Sequence, residues 1–233
     1  MVTTDDHDDS LDAPLRSVMR AQAPIHRLRP DPIDDATVLT LLELATRATA
    51  GQRRRCEFVV LRDPDVRHQL ARSYRQGWSV YRRVLHTRAG DDALLEARQW
   101  EADHFEDVPV IIVACVRGRR PVFSAIGAAS FYAGVFPAVQ NLLLAAAAAG
   151  LGGAASTIAL WSRWETRRTL GLPASVTPVV VVPLGRPRGV PAPAPVAPVG
   201  NLVHLDRYGH QPFRGRAGHE LRSGAPTGRI TEA

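Results

Sequence analysis

"FPAVQNLLLAAAAAGLG", residues 136–152, decides how the rest of the chain is read. Leu142, Leu143 and Leu144 are consecutive, and successive helical residues point about 100° apart, so one helix face cannot hold all three. A helix that is apolar all round is buried at the centre of its domain. The spacing predicts one long helix from about Ser124 to Ala149, and Gly150 is an ordinary C-terminal stop. The apolar stretch continues to Trp161, but Gly150, Gly152 and Gly153 interrupt it and Gln140 and Asn141 stand at its entrance. It therefore reads as a core helix, a turn and a strand, not as a membrane span.

The elements on either side fit a sheet covered by helices. Asp34 or Asp35 caps a helix that repeats Val38, Leu41, Leu42, Ala45 and Ala48 on one face. "EFVVL" (57–61) is a strand, and Asp63-Pro64 opens a helix marked by Val66, Leu70, Tyr74, Trp78 and Tyr81. A charged helix at about 91–105 precedes "VPVIIVACV" (108–116), whose continuous apolar run predicts a strand covered on both faces. "AASTIAL" (154–160) reads as another strand, "SRWE" (162–165) as a helix start, and "TPVVVVPLG" (177–185) as a buried strand. Residues 1–14 read as a disordered segment, 15–213 as one domain and 214–233 as a flexible tail. Within the domain, "GRPRGVPAPAPVAPVG" (185–200) is too Pro-rich for helix or central strand. In polyproline geometry its sixteen residues reach about 50 Å. It ends in "NLVHLD" (201–206), read as a strand, so the arm is expected to add to a distant sheet edge, on another subunit or folded back on its own domain.

Composition narrows the chemistry. The chain has 233 residues and a net charge of +6, and all 29 basic residues are arginine. Without lysine there is no Walker-type P-loop, Schiff-base lysine or Ser–Lys dyad. The arginines are spread through helices that also carry Asp and Glu, and no nucleic-acid-binding motif occurs. Cys56 and Cys115 lie in apolar strand patterns without metal spacing, so they read as reduced buried thiols of a cytoplasmic protein. The acidic N-terminus is no signal peptide. No GxSxG motif is present, "GLGG" follows a helix and is no dinucleotide fingerprint, and His204, Asp206 and His210 match no standard metal site. Trp78, Tyr81 and Trp100 read as core packing rather than a lid. No catalytic side chain is identified.

Several stretches together resemble the nitroreductase family of flavin enzymes over about residues 16–213. They are "RLRPDPI" (27–33), "FVVLRDP" (58–64), "VPVIIVACV", "FPAVQNLLLAAAAAGLG", "LGLP" (170–173) and "PLGRP" (183–187). "VHLDRYGHQPF" (203–213) is similar to the C-terminal segment of an actinobacterial branch. The resemblance implies an α+β fold with a central mixed β-sheet flanked by helices. It also implies a homodimer whose C-terminal arms are exchanged, with FMN in two interface sites. Electrons would pass from NADH or NADPH to a nitro, quinone or conjugated acceptor, and because the reactive atom belongs to the flavin no side-chain acid is required.

The same resemblance places cofactor contacts at Arg20, His26, Arg27, Thr49 and Thr157; in the run of arginines after Gln52, Arg53 and Arg54 are expected to line the site with Gln52 turned toward the flavin, the alternative being a solvated corner. The cofactor pattern is eroded. In "QAPIHR" (22–27) an expected arginine is Ala23 and the next contact is Pro24, while "GQRRRCEF" (51–58) departs from the family's Asn-x-Gln-Pro-Trp pattern. Each lost charge-assisted contact to a phosphate costs about 1.5–3 kcal/mol. The alternative reading is a protein that keeps the fold, has lost FMN, and serves as a divergent biosynthetic enzyme or a non-catalytic binding subunit.

Overall fold

The chain orders its elements as α1 (Ala13–Ala21), β1 (Leu28–Arg29), α2 (Asp35–Thr46), β2 (Cys56–Leu61), α3 (Pro64–His86), α4 (Asp92–Asp103), β3 (Val110–Arg117), α5 (Ala125–Ala133), α6 (Val135–Ala148), β4 (Gly152–Gly153), α7 (Arg163–Thr169) and β5 (Val176–Pro187). The computed structural model describes residues 13–48, 56–86, 92–118, 120–121, 123–189 and 197–216. By internal contacts the chain divides into Met1–Pro191 and Ala192–Ala233.

In the larger unit the strands order β1-β5-β3-β2, with β4 also paired to β5. The sequence reading expects a mixed sheet, but every pairing among the described residues is antiparallel. The connections explain this. β2 ends at Leu61 opposite Ile111, so the α3–α4 excursion leaves one end of the sheet and returns to that same end. β3 ends at Arg117 opposite Val176, so the chain through α5, α6 and α7 does likewise.

β3 shows why its sequence is apolar throughout. Val110, Ile112, Ala114 and Val116 face one core with α2 and α6, while Ile111, Val113 and Cys115 face the other with Leu70, Tyr74 and Phe105. Successive side chains of a strand alternate faces, so a strand between two cores has no polar side to show.

The expected single helix at 124–149 is two helices meeting at Gly134. Pro137 has no N–H for the Ala133 carbonyl, so the hydrogen-bond ladder is interrupted there. The run 125–148 is long and apolar enough to cross a bilayer by composition. Here it covers a sheet, with Phe131, Val135, Val139, Leu142 and Ala146 buried. "AASTIAL" is not a strand: β4 precedes it, Ser156 makes one bridge to Val181, and Ile158–Leu160 is a 3-10 turn. The caps at Asp34 and Ser162 form as expected, each side chain accepting from a backbone N–H of the first helical turn.

In the smaller unit, "NLVHLD" forms no strand. Val199–Asn201 is a 3-10 turn, and local hydrogen bonds then close the chain on itself, with Gln211 Nε2 donating to Asn201 O and Gly215 N to Asn201 Oδ1. Leu202 and Tyr208 stay exposed. Residues 190–196 of the Pro-rich run lie outside the described residues, as do 1–12 and 217–233.

Candidate functional site

One edge of the sheet carries a cleft of about 220 Å³ where the N-terminal segment, the end of α6 and the end of β5 converge. Its walls are Ala21, Ala23 and Ile25 on one side, Leu143 and Ala147 on another, with Gly152 and Pro187 completing it.

Local rules build each wall. Gly150 takes φ +69 after α6. Its N–H donates to Ala147 O at 3.1 Å and Leu151 N donates to Ala146 O at 2.8 Å, the paired bonds that end a helix at a left-handed residue. The chain then turns into β4, which pairs with Leu184 and Gly185 of β5. A Cβ on Gly153 would lie 2.4 Å from Pro183 O, so glycine is required for that approach. Ile25 N donates to Gly153 O at 3.1 Å, and Leu28 and Arg29 then pair with Pro187 and Arg186. The N-terminal segment is thus laced along the edge of β5 past β4.

Of the residues predicted from sequence, three surround this wall. Arg20 is exposed in the last turn of α1, next to Ala21. Arg27 is exposed, and its carbonyl accepts from Arg188 N at 2.9 Å. His26 is only 8% exposed and turns inward: its Nδ1 lies 2.5 Å from Glu101 Oε2, and Glu101 is 2% exposed. Thr157 is exposed but does not line the cleft. Its neighbour Ser156 bridges Val181, three residues along β5 from the Gly153–Leu184 pair, or about 10 Å away. Thr49, Gln52, Arg53 and Arg54 lie outside the described residues.

Beneath the wall sits a polar cluster that the sequence reading missed. Glu101 lies in a helix with several other carboxylates, and nothing in that pattern marks it as buried. Among the described residues, His26 Nε2, Glu101 Oε1 and the Tyr74 hydroxyl are buried without a hydrogen-bond partner. Burial pushes the Tyr74 hydroxyl well above its ordinary range, and the nearby Glu101 carboxylate adds to the shift.

The small lining residues suit a flat group that packs close to backbone, and Gln22 offers an amide at the rim. Among the described residues no carboxylate lines the cleft, and Arg20 precedes Ala21 of its wall. These features fit the ring or chain of FMN, with the positive charge for its phosphate supplied from beside the cleft rather than from its lining. The volume is below the roughly 300–1,000 Å³ usual for small-molecule sites, so one chain encloses only part of such a ligand. A larger groove of about 610 Å³ between α3 and α7 includes Arg72, Trp164 and Arg168, but it is lined mostly by exposed side chains and holds none of the predicted residues. The smaller cleft is therefore the better candidate.

The model of the Nitroreductase family matches residues 25–186. Among solved structures, nitroreductase A from Vibrio parahaemolyticus is 21% identical, with a TM-score of 0.64 over 83% of this chain and 75% of that one. The NADPH:FMN oxidoreductase from Vibrio harveyi, solved with NAD+, is 21% identical, with a TM-score of 0.63 over 83% of this chain and 77% of that one. Iodotyrosine deiodinase, solved with FMN and 3-iodo-L-tyrosine, is 18% identical, with a TM-score of 0.63 over 83% of this chain and 98% of that one. At these identities the structural likeness speaks for the fold.

Proposed function

The chain belongs to the nitroreductase family, and from that premise we propose that it is an FMN-dependent oxidoreductase carrying electrons from NAD(P)H to a nitro, quinone or conjugated acceptor. The observation that carries this reading is the cleft of small residues at the β5 edge, flanked by Arg20. When bound, FMN supplies the electron-accepting and electron-donating ring, and the protein supplies position, charge and exclusion of water. Gln22 and the backbone at 150–153 would bind its uncharged part. Arg20 and Arg27, with Arg53 and Arg54, would balance the phosphate, and Thr49, Gln52 and Thr157 would contact the remainder. His26, committed to Glu101, holds the wall in place rather than gripping the anion.

The same reading makes the protein a cytoplasmic homodimer. The helices packed around α6 leave Met19, Leu39, Ile126 and Phe136 between 52% and 81% exposed, apolar surface that suits a second copy. Both cysteines are free thiols, which suits a reducing compartment.

A second reading keeps the fold without the cofactor. It is favoured by one observation: among the described residues, no cationic side chain lines the cleft. Titration of flavin-stripped protein with FMN separates the two. Saturable binding, with a flavin absorbance band in freshly purified protein, supports the oxidoreductase. Protein that is colourless as purified and does not bind added FMN supports the flavin-free reading.

A further inference from the structure

Two segments that form the cleft are also fastened, on the side away from it, to one helix. His26 follows Ile25 in the wall and pairs with Glu101 on α4, 75 residues away in sequence. Arg188 follows Pro187, and its guanidinium lies 5.5 Å from the ring centre of Trp100, the residue before Glu101 on α4. The Trp100 ring is backed in turn by His104, stacked at 4.1 Å. Arg188 is held to the N-terminal segment as well, with its backbone N donating to Arg27 O at 2.9 Å and its Nε to Leu28 O at 3.3 Å.

The pair is poorly explained as a stabiliser. Taking such a polar pair out of water costs hydration free energy, and apolar residues of similar volume are often as stable. Here Nε2 and Oε1 also remain unsatisfied, so the desolvation is not fully offset. What the pair does provide is orientation. A hydrogen bond fixes a direction, and His26 follows Ile25, a residue of the cleft wall, in the chain. Ile25 side-chain atoms lie within 2.9 Å of where a Cβ on Gly152 would sit, and the Ile25 N–H is bonded to Gly153 O. A shift of His26 therefore moves Ile25 against the Gly152–Gly153 backbone.

We infer that His26 and Glu101 are positioning residues: with Arg188 and Trp100 they latch both walls of the cleft to α4, so that filling the cleft and ordering α4 are coupled. The coupling to FMN rests on the cofactor reading above, whereas the latch itself does not. α3 and α4 form the excursion between β2 and β3, so this helix pair is the element through which occupancy of the cleft is transmitted.

Amide hydrogen exchange on the full chain, with and without added FMN, tests both parts. Without FMN, Glu101→Ala should raise exchange at 25–28 and 152–153 by at least about tenfold while leaving α2 unchanged. His26→Asn, which keeps a donor near the position of Nδ1, should restore most of the protection that His26→Ala loses. Unchanged exchange in Glu101→Ala overturns the latch. So does an equal rise across α2 and β3, which marks general destabilisation. With FMN, wild-type α4 amides should slow together with those at 22–28, and Trp100→Ala should confine the slowing to the cleft. Slowing confined to the cleft in the wild type overturns the coupling while FMN binding stands. If FMN does not bind at all, the cofactor reading and the coupling fail together, and the experiment without FMN still judges the latch.

Discussion

Leu142→Ala is the most direct test of the core. Leu142 is fully buried, with Leu41 of α2, Val139 and Ala146 in its cluster and the strands β3 and β5 among its neighbours. Strand backbone cannot close onto a void without breaking the ladder. The site should therefore keep most of its cavity and lose roughly 3–5 kcal/mol, the upper part of the range for such truncations. At about 2–4 °C per kcal/mol for a chain of this size, the midpoint should fall by roughly 6–20 °C. Neighbouring truncations provide the scale. Leu143→Ala, 9% exposed at the cleft wall, should cost less, and Leu144→Ala, half-buried, less again. Leu39→Ala, 65% exposed, should stay within about 0.5 kcal/mol unless a second copy covers it. Urea unfolding at one fixed protein concentration, with unchanged slope, measures all four. If Leu142→Ala cost less than about 1 kcal/mol, or no more than Leu144→Ala, the placement of α6 against the sheet would be wrong.

Burial raises the Cys56 thiol to about 11, with Glu57 adding to the shift, and raises Cys115 to about 12, so neither should react with a thiol reagent at pH 8 until the chain unfolds. Because these protons are held more tightly in the fold, stability should fall as pH rises past about 9, where the unfolded thiols begin to ionise. Rapid labelling of native protein would contradict both statements. The Thr37 N–H and hydroxyl hold the Asp34 carboxyl below its ordinary range. Its contribution is present above the unfolded carboxylate pKa and lost as pH falls, so wild type and Asp34→Ala should converge in stability on acidification. Ending the chain at Gly189 removes the Pro-rich run from Val190 onward and everything after it; a dimer that sediments unchanged would rule out exchange of that arm between subunits.

The sequence was most legible where one rule acted alone. The uninterrupted run in β3 announced two covered faces, and the caps at Asp34 and Ser162 announced helix starts. It was misleading where a local pattern met a tertiary one. "AASTIAL" has strand composition, but after one bridge at Ser156 the chain leaves β5 for the Ile158–Leu160 3-10 turn, which packs against α3. "NLVHLD" alternates like a strand, but local bonds take up its backbone: Val199–Asn201 is a 3-10 turn and Leu205 N donates to His210 O at 2.8 Å. The candidate site was half legible. Ala21, Ala23 and Ile25, within the segment singled out from sequence, line the cleft, but whether His26 faced a phosphate or a protein carboxylate depended on Glu101, which is distant in sequence and unremarkable in its own helix.

The arginines at 53 and 54 give the sharpest test of how a complete site would be assembled. Cys56 pairs with Val116, which lies opposite Thr177, at the far end of β5 from the Gly153–Leu184 pair. Seven residues along β5 and two strand spacings across put the start of β2 about 25 Å from the cleft. Arg53 is three residues from Cys56, so its backbone stays within about 11 Å of it and its side chain adds about 7 Å. That total falls short of the cleft within one chain, and Arg54 falls shorter still. If these arginines balance the phosphate of a cofactor in this cleft, the partner subunit must supply them. Arg53→Ala with Arg54→Ala should then weaken FMN binding by at least about tenfold, and raised salt should weaken wild-type binding in the same direction. Wild-type affinity should also decline as the protein is diluted below its dimer dissociation constant. A dimer of one double-variant chain and one Arg20→Ala chain should retain one intact site of two, because both losses then fall in the same site. Titrations of the mixed dimer and both parents decide the matter: full retention in the double variant removes these arginines from the site, and an affinity independent of dilution across the dimer transition refutes their supply from the partner.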